Sequence, residues 1–342
     1  MVHNTFYRLN VFILNTAHRS RYPKTPVRYY ATTLNQKNTT NSTATTTTTT
    51  PNPRSMASGG KGGERGSDDP PATTPTPTKQ KLTLGDRMKQ YEAALDITLP
   101  SSSAAILRLD GHGFSRFTAS FQRPFDPRIH AAMLGASGDL LGFFPRATVA
   151  YTQSDEITLV FPPAPDDSGD AVGAFNSRVQ KLVSLAASYC SVRFNAHLAV
   201  PGSEIAHFDA RVFAVPSADE ALNCLLWRCR GDAVRNSIGA FARTLFTPRE
   251  MLGRTSAELV EMMRAQKGVV YEEAVPRWAV EGCLVKRERY RHEGFNPKTG
   301  RMEATTRTRI RVEERGVKEF SAENIRLITD KYWPGDGDGD EG

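Results

Sequence analysis

The chain has 342 residues, with 44 Lys and Arg against 37 Asp and Glu, a formal net charge of +7. Apolar residues make up 39% and charged residues 24%, which excludes collagen-like, membrane-bundle and wholly disordered chains and allows one or two domains with real cores. Residues 1–63 hold eight of the basic residues and no acid, so the surplus belongs to the N-terminal segment and says little about a binding partner.

That segment bears Arg, is rich in Ser, Thr and Asn, and is apolar around Phe6–Leu14, the composition of a mitochondrial transit peptide. Residues 1–30 are therefore expected to direct the chain to mitochondria, with processing near Arg28–Ala31, and Met56 is a second start site that would leave a cytosolic form. Residues 31–81 carry the run Thr45–Thr50 and the Pro/Thr stretch Pro70–Thr78, and read as a disordered linker. Folded structure is expected from Leu82, with a helical pattern over Asp86–Leu95. Ala104–Leu109 reads as a buried strand ended by Asp110-Gly111. Pro127–Phe143 reads as a helix with Pro127 in its first turn. Thr148–Tyr151 and Ile157–Phe161 flank a polar tetrad as a β-hairpin. A helix over Ala171–Ser191, a strand over Ala210–Val215 and a helix from Ala218 to about Phe246 follow. The predicted fold class is α+β, a ferredoxin-like β-α-β-β-α-β palm over 82–250. A helical and hairpin extension over 251–334 follows, with strands Cys283–His292 and Glu303–Val312, then an acidic disordered tail at 335–342. The cysteines (Cys190, Cys224, Cys229, Cys283) lack C-x-x-C or zinc spacing and read as reduced thiols; no apolar run is long enough for membrane insertion.

Two carboxylate positions carry the chemistry. Asp110 ends the first strand, and Asp155-Glu156 sits between the second and third. In a ferredoxin-like sheet strands one and three are neighbours, so these acids converge on one edge, where two carboxylates and the Gly111 carbonyl suit Mg²⁺. Alone, each segment reads first as an ordinary turn; the pair, at these places in this topology, favours the functional reading.

Arg108-Leu109-Asp110-Gly111-His112-Gly113-Phe114-Ser115-Arg116-Phe117 resembles the R-x-D-G-R-x-F-x-[KR]-F pattern of tRNA(His) guanylyltransferases. Tyr151–Glu156 resembles their G-Q-S-D-E segment, Phe208–Val212 their F-D-x-R-V, and Leu226-Trp227-Arg228 their L-x-W-R. Arg123–Asp126 resembles K-P-x-D and Thr306–Arg309 resembles T-R-T-R, all six in collinear order over about 82–315. The resemblance implies a polymerase-like palm that adds nucleotides to the 5′ end of tRNA: ATP activates the 5′ phosphate, the 3′-hydroxyl of GTP attacks, and pyrophosphate leaves. It implies Asp110, Asp155 and the Gly111 carbonyl as ligands of two Mg²⁺ ions, with Glu156 orienting them. Gly111, His112, Gly113, Phe114 and Ser115 would cradle the triphosphate with Ser154 and Asn236, while Arg108, Arg123 and Arg211 neutralise phosphates. A homo-oligomer, a tetramer, is implied likewise.

The chain departs from that pattern twice. His112 stands where the family has Arg, and Gly231–Ile238 replaces the H-I-N-N-L-Y-N segment, resembling instead the Asp-Ala-x-x-Asn-Ser of the guanylyltransferase-like branch that repairs truncated tRNA 5′ ends. Repair is thus expected over dedicated tRNA(His) G addition; a non-catalytic tRNA-binding relative is the rival that the two aspartates argue against. Lys286–Arg315, with ten Lys and Arg against five acids, is expected to track tRNA phosphates on one strand face or else to be a solvated edge. Trp227, Cys190 and Phe241 are expected in the core.

Overall fold

The structure, a computed structural model, describes residues 82–165, 172–200 and 204–333; the transit-peptide, linker and acidic-tail expectations lie outside them. Its helices, in chain order, are α1 (Leu84–Ala93), α2 (Phe114–Phe117), α3 (Pro127–Phe143), α4 (Val179–Leu198), α5 (Ala218–Trp227), α6 (Val234–Leu245), α7 (Pro248–Met251), α8 (Ser256–Lys267), α9 (Tyr271–Ala274), α10 (Arg277–Glu281) and α11 (Ala322–Thr329). The strands are β1 (Ala104–His112), β2 (Val149–Gln153), β3 (Glu156–Phe161), β4 (His207–Val215), β5 (Cys283–Asn296) and β6 (Arg301–Glu313). They form one antiparallel sheet in the order β4-β1-β3-β2-β5-β6. The first four strands with α3 and α4 make the expected β-α-β-β-α-β palm, and β5–β6 extends the same sheet.

β1 is apolar on both faces because both are covered. Ala105, Leu107 and Leu109 pack into a core with α3 and α4, whereas Ala104 and Ile106 join one built with α5, α11 and Leu284. A third cluster, Ile238, Ala242, Phe246, Leu259, Met263 and Tyr271, fixes α6 against α8. α3 starts where its residues dictate: Pro127 occupies the first turn, and the Asp126 side chain accepts from the Arg128 N–H at 2.9 Å. The hydrogen-bonded Arg128 guanidinium holds the Asp126 carboxyl well below the usual range.

The helix expected from Ala218 to Phe246 is two helices separated by a π-helical turn, Arg228–Ala233. Buried Arg228, at the start of this turn, reaches carboxylates on β3 and within the turn itself. Trp227, expected in the core, is 56% exposed, with the Arg108 and Arg228 guanidinium groups 5.7 and 5.0 Å from its ring. Cys190 is buried and Phe241 packs against the third cluster, and all four cysteines are free thiols. Among the described residues no helix is long and apolar enough to cross a membrane.

The basic hairpin is divided in a way its alternation does not reveal. Arg287 is buried and donates from Nη1 to the Ala147 carbonyl at 2.6 Å and from Nη2 to Leu141 and Phe144, at the C-terminus of α3. Lys286, also buried, donates to Thr148 at 3.1 Å, to Leu327 at 3.0 Å and to Asp330, closing α11. Both cations serve carbonyls that a helix end leaves unpaired. Glu288 binds Arg309 at 2.5 Å and Arg311 at 3.0 Å. The register Arg289↔Thr308 and Tyr290↔Arg307 places the β5 and β6 arginines on opposite faces, so the single basic face expected from alternation does not form.

Candidate active site

The carboxylates are brought together by register. Asp110 lies opposite Glu156 on β3 and opposite Asp209 on β4. Gln153 pairs with Glu156, so Ser154 and Asp155 alone make the β2–β3 turn, with Ser154 at φ 51°. The Gly111 N–H donates to the Asp155 carbonyl at 3.1 Å, folding that turn over the end of β1. The segment after Asp110 is pinned by aromatic packing: Phe114 lies 5.0 Å from Phe117, 5.6 Å from Phe194 and 5.7 Å from Phe208. Gly113, at φ 60°, starts α2 in the left-handed conformation that glycine tolerates.

Burial pushes the Asp110 carboxyl up, and the facing Asp209 adds to this while Arg211, Arg228 and Arg108 oppose it. Burial also raises Asp155; the Ser154 hydroxyl, donating at 2.9 Å, opposes the shift and Asp110 reinforces it. These are hard oxygen donors with negative charge held in partly buried positions, the kind of set that a hard divalent cation relieves. Glu156 has a different use. Burial raises it and Arg228 opposes that, because Arg228 Nε donates to its carboxylate at 2.8 Å and Nη2 to the other oxygen.

A cleft of about 750 Å³ opens beside the turn. Of the residues expected to bind nucleotide, Phe114, Ser115, Arg123, Ser154, Asp155 and Asn236 line it. Asp110, Gly111, Gly113 and the exposed His112 sit just outside, on β1 and the bend after it, with His112 opposite His207. Arg108 and Arg211 are not in its wall: Arg108 stacks over Phe213 and Trp227, and Arg211 lies exposed 3.7 Å from Asp209. The opposite wall supplies cations that sequence reasoning did not single out, Arg235 and Arg243 from α6 and Arg254 before α8. The i, i+8 spacing of Arg235 and Arg243 was the available signal, but it gains meaning only once α6 is known to face the β2–β3 turn.

The cleft also holds a stacked pair, His130 on Trp278, with centroids 4.0 Å apart and planes 10° from parallel. Burial pulls the His130 imidazole down to about 4. Between the unfolded value near 6.5 and about 4 the unfolded chain binds the extra proton, so stability falls as pH falls through that window. The loss approaches about 3 kcal/mol by pH 4. Thermal melts from pH 7 to 4 are expected to show this slope reduced in His130→Gln; an unchanged slope contradicts it.

The family model described as Thg1, tRNAHis guanylyltransferase, matches residues 85–216, which span β1 through β4 and both aspartates. An uncharacterised protein of Acanthamoeba polyphaga mimivirus is 34% identical over 227 residues, covering 60% of this chain and 77% of that one. The tRNA(His) guanylyltransferase of Debaryomyces hansenii is 28% identical over 265 residues, covering 72% of this chain and 94% of that one. The chain belongs to the tRNA(His) guanylyltransferase family. It is accordingly a nucleotidyltransferase. A bacterial Thg1-like protein solved with ATP superposes with TM-score 0.59 at 28% identity, over 68% of this chain and 92% of that one. The same bacterial protein type solved with GTP gives TM-score 0.55 at 27% identity, over 69% and 93%.

Proposed function

We propose that the chain adds nucleotides, GTP in particular, to the 5′ end of tRNA in the 3′–5′ direction, and that its task is templated repair of truncated tRNA 5′ ends. The observation that carries this reading is the Asp110–Asp155 pair at the edge of a cleft whose far wall is lined with arginines. The bacterial Thg1-like structures with ATP and GTP support the choice of nucleotides, and the relatives named tRNA(His) guanylyltransferase support tRNA. Repair is favoured by Gly231–Ile238, where Asp232, Ala233, Asn236 and Ser237 stand in place of the family's His-containing segment.

Asp110, Asp155 and the Gly111 carbonyl would hold two Mg²⁺ ions, and the hard, partly buried carboxylate oxygens fit them. When bound, such ions activate a hydroxyl nucleophile and neutralise charge at phosphorus. The protein's own groups do the rest. Backbone N–H groups over Gly113–Ser115 and the Arg123 guanidinium bind phosphate oxygens, for which the planar fork of Arg is suited. Glu156 keeps the turn that carries Asp155 in place by its bond to Arg228.

The test is extension of two substrates, intact tRNA(His) and a tRNA lacking its 5′ nucleotide, with Mg²⁺, ATP and GTP. Extension of the truncated tRNA supports repair, addition only of G to intact tRNA(His) supports the dedicated guanylyltransferase, and extension of neither contradicts the reading. The hairpin supplies the tRNA footprint through Arg289 and Arg291, which are exposed on one face of β5. Replacing both by Ala is expected to lower the slope of log affinity against log salt by about one for each phosphate no longer neutralised, measured by filter binding. An unchanged slope removes the hairpin from the footprint. Residues 1–30 direct the chain to mitochondria and the protein is a homo-oligomer in this proposal; imaging a fusion with and without that segment, and light scattering, test the two points.

A further inference from the structure

The two walls of the cleft are joined beneath its floor by a chain of charged groups. On one side, the β2–β3 turn presents Asp155, and the next residue, Glu156, points into the protein with a side chain only 7% exposed. Arg228 meets it with Nε at 2.8 Å and with Nη2, and spends Nη1 on Asp232. Asp232 is 6% exposed, and its second oxygen accepts from Arg235 Nη2. Arg235 is 67% exposed and lines the opposite wall. Glu156, Arg228 and Asp232 together carry one uncompensated negative charge in a buried setting, which Arg235 neutralises from the surface. Asp232 therefore fixes one nitrogen of Arg235 and leaves the rest of an exposed guanidinium beside the cleft.

We propose that Arg228 and Asp232 are positioning residues: through them the turn bearing Asp155 sets the place of Arg235, which binds the polyphosphate of a nucleoside triphosphate from the facing wall. The inference rests on reading the cleft as the nucleotide site. Arginine is the side chain suited to this task, because its fork meets phosphate oxygens bidentately while another nitrogen stays engaged. An unpinned Arg235 would lose rotamer freedom on every binding event, and the Asp232 bond removes that cost beforehand. The π-helical turn from Arg228 to Ala233 belongs to the device, since both carboxylate contacts of Arg228 are made from it.

The test is a double-mutant cycle read by equilibrium titration of GTP and by KM and kcat for transfer to truncated tRNA. Arg235→Gln is expected to weaken GTP binding and raise KM about tenfold, with kcat changed by less than about threefold. Asp232→Asn, which keeps the buried shape, is expected to do nearly the same. The double variant is expected to match Arg235→Gln rather than reach the roughly hundredfold loss of independent effects. Arg228→Lys, which keeps the charge but cannot bridge two carboxylates, is expected to bind GTP more weakly than wild type and more tightly than Arg228→Met. Lower melting temperatures with unchanged GTP affinity in Asp232→Asn would reduce the network to a structural one and overturn the proposal, as would full additivity. GTP binding that shows the coupling without any transfer to tRNA would overturn the proposed reaction instead, leaving the positioning role intact.

Discussion

Asp155→Asn is expected to lower the rate of nucleotidyl transfer by at least about a thousandfold while leaving the melting temperature unchanged or higher. The two halves of this expectation come from one feature. Asp155 is partly buried beside Asp110, and burial pushes both carboxyls up, so the folded protein holds negative charge where it is unfavourable. An isosteric amide removes that penalty, keeps the Gly111 N–H bond to the Asp155 backbone carbonyl and preserves the turn. It also removes an anionic oxygen donor from the proposed metal-binding set, for which a neutral amide is a poor replacement. Asp110→Asn should behave in parallel. A structural residue behaves oppositely, losing stability together with activity, so thermal melts beside single-turnover rates separate the two roles. Retained activity in either variant would contradict the assignment.

The second large effect is on the backbone. Gly111→Ala is expected to destabilise the protein by about 3 kcal/mol and to cut activity about a hundredfold. A Cβ at this position would lie 2.3 Å from Phe114 Cδ2, 2.8 Å from its Cγ and 3.0 Å from Asp155 Cβ. Phe114 cannot swing aside, being packed against Phe117, Phe194 and Phe208. The turn would yield instead, carrying Asp155 away from Asp110. Denaturant unfolding is the measurement: a lower midpoint at unchanged slope is expected, and a midpoint equal to wild type would mean that the segment repacks freely.

Much of this arrangement was legible in the chain itself. The runs Ala104–Leu109 and Ile157–Phe161 announced central strands, and Pro127 after Asp126 announced α3 at its true start. Local chemistry sufficed there, since the deciding residues are neighbours. α4 was misplaced, expected at Ala171–Ser191 and found at Val179–Leu198, because no side-chain cap marks its beginning at Arg178. The break at Arg228 was invisible for another reason: Arg228 and Glu156 are 72 residues apart, and only the folded sheet brings them together. The hairpin charges follow the same rule. Lys286 and Arg287 look like surface cations in a basic stretch, yet they are spent on the C-terminal carbonyls of α11 and α3. In the site, the motifs marked Asp110, Gly111 and Asp155. The cations of the far wall escaped notice, since Arg235, Arg243 and Arg254 gather only through the packing of α6 on α8.

The most direct test of the central claim is to follow GTP addition to a tRNA lacking its 5′ nucleotide, with ATP and Mg²⁺, for wild-type protein and for Asp110→Asn and Asp155→Asn at equal folded concentrations. The account predicts 5′ extension by wild type alone. Extension by all three proteins, or by none, would contradict it.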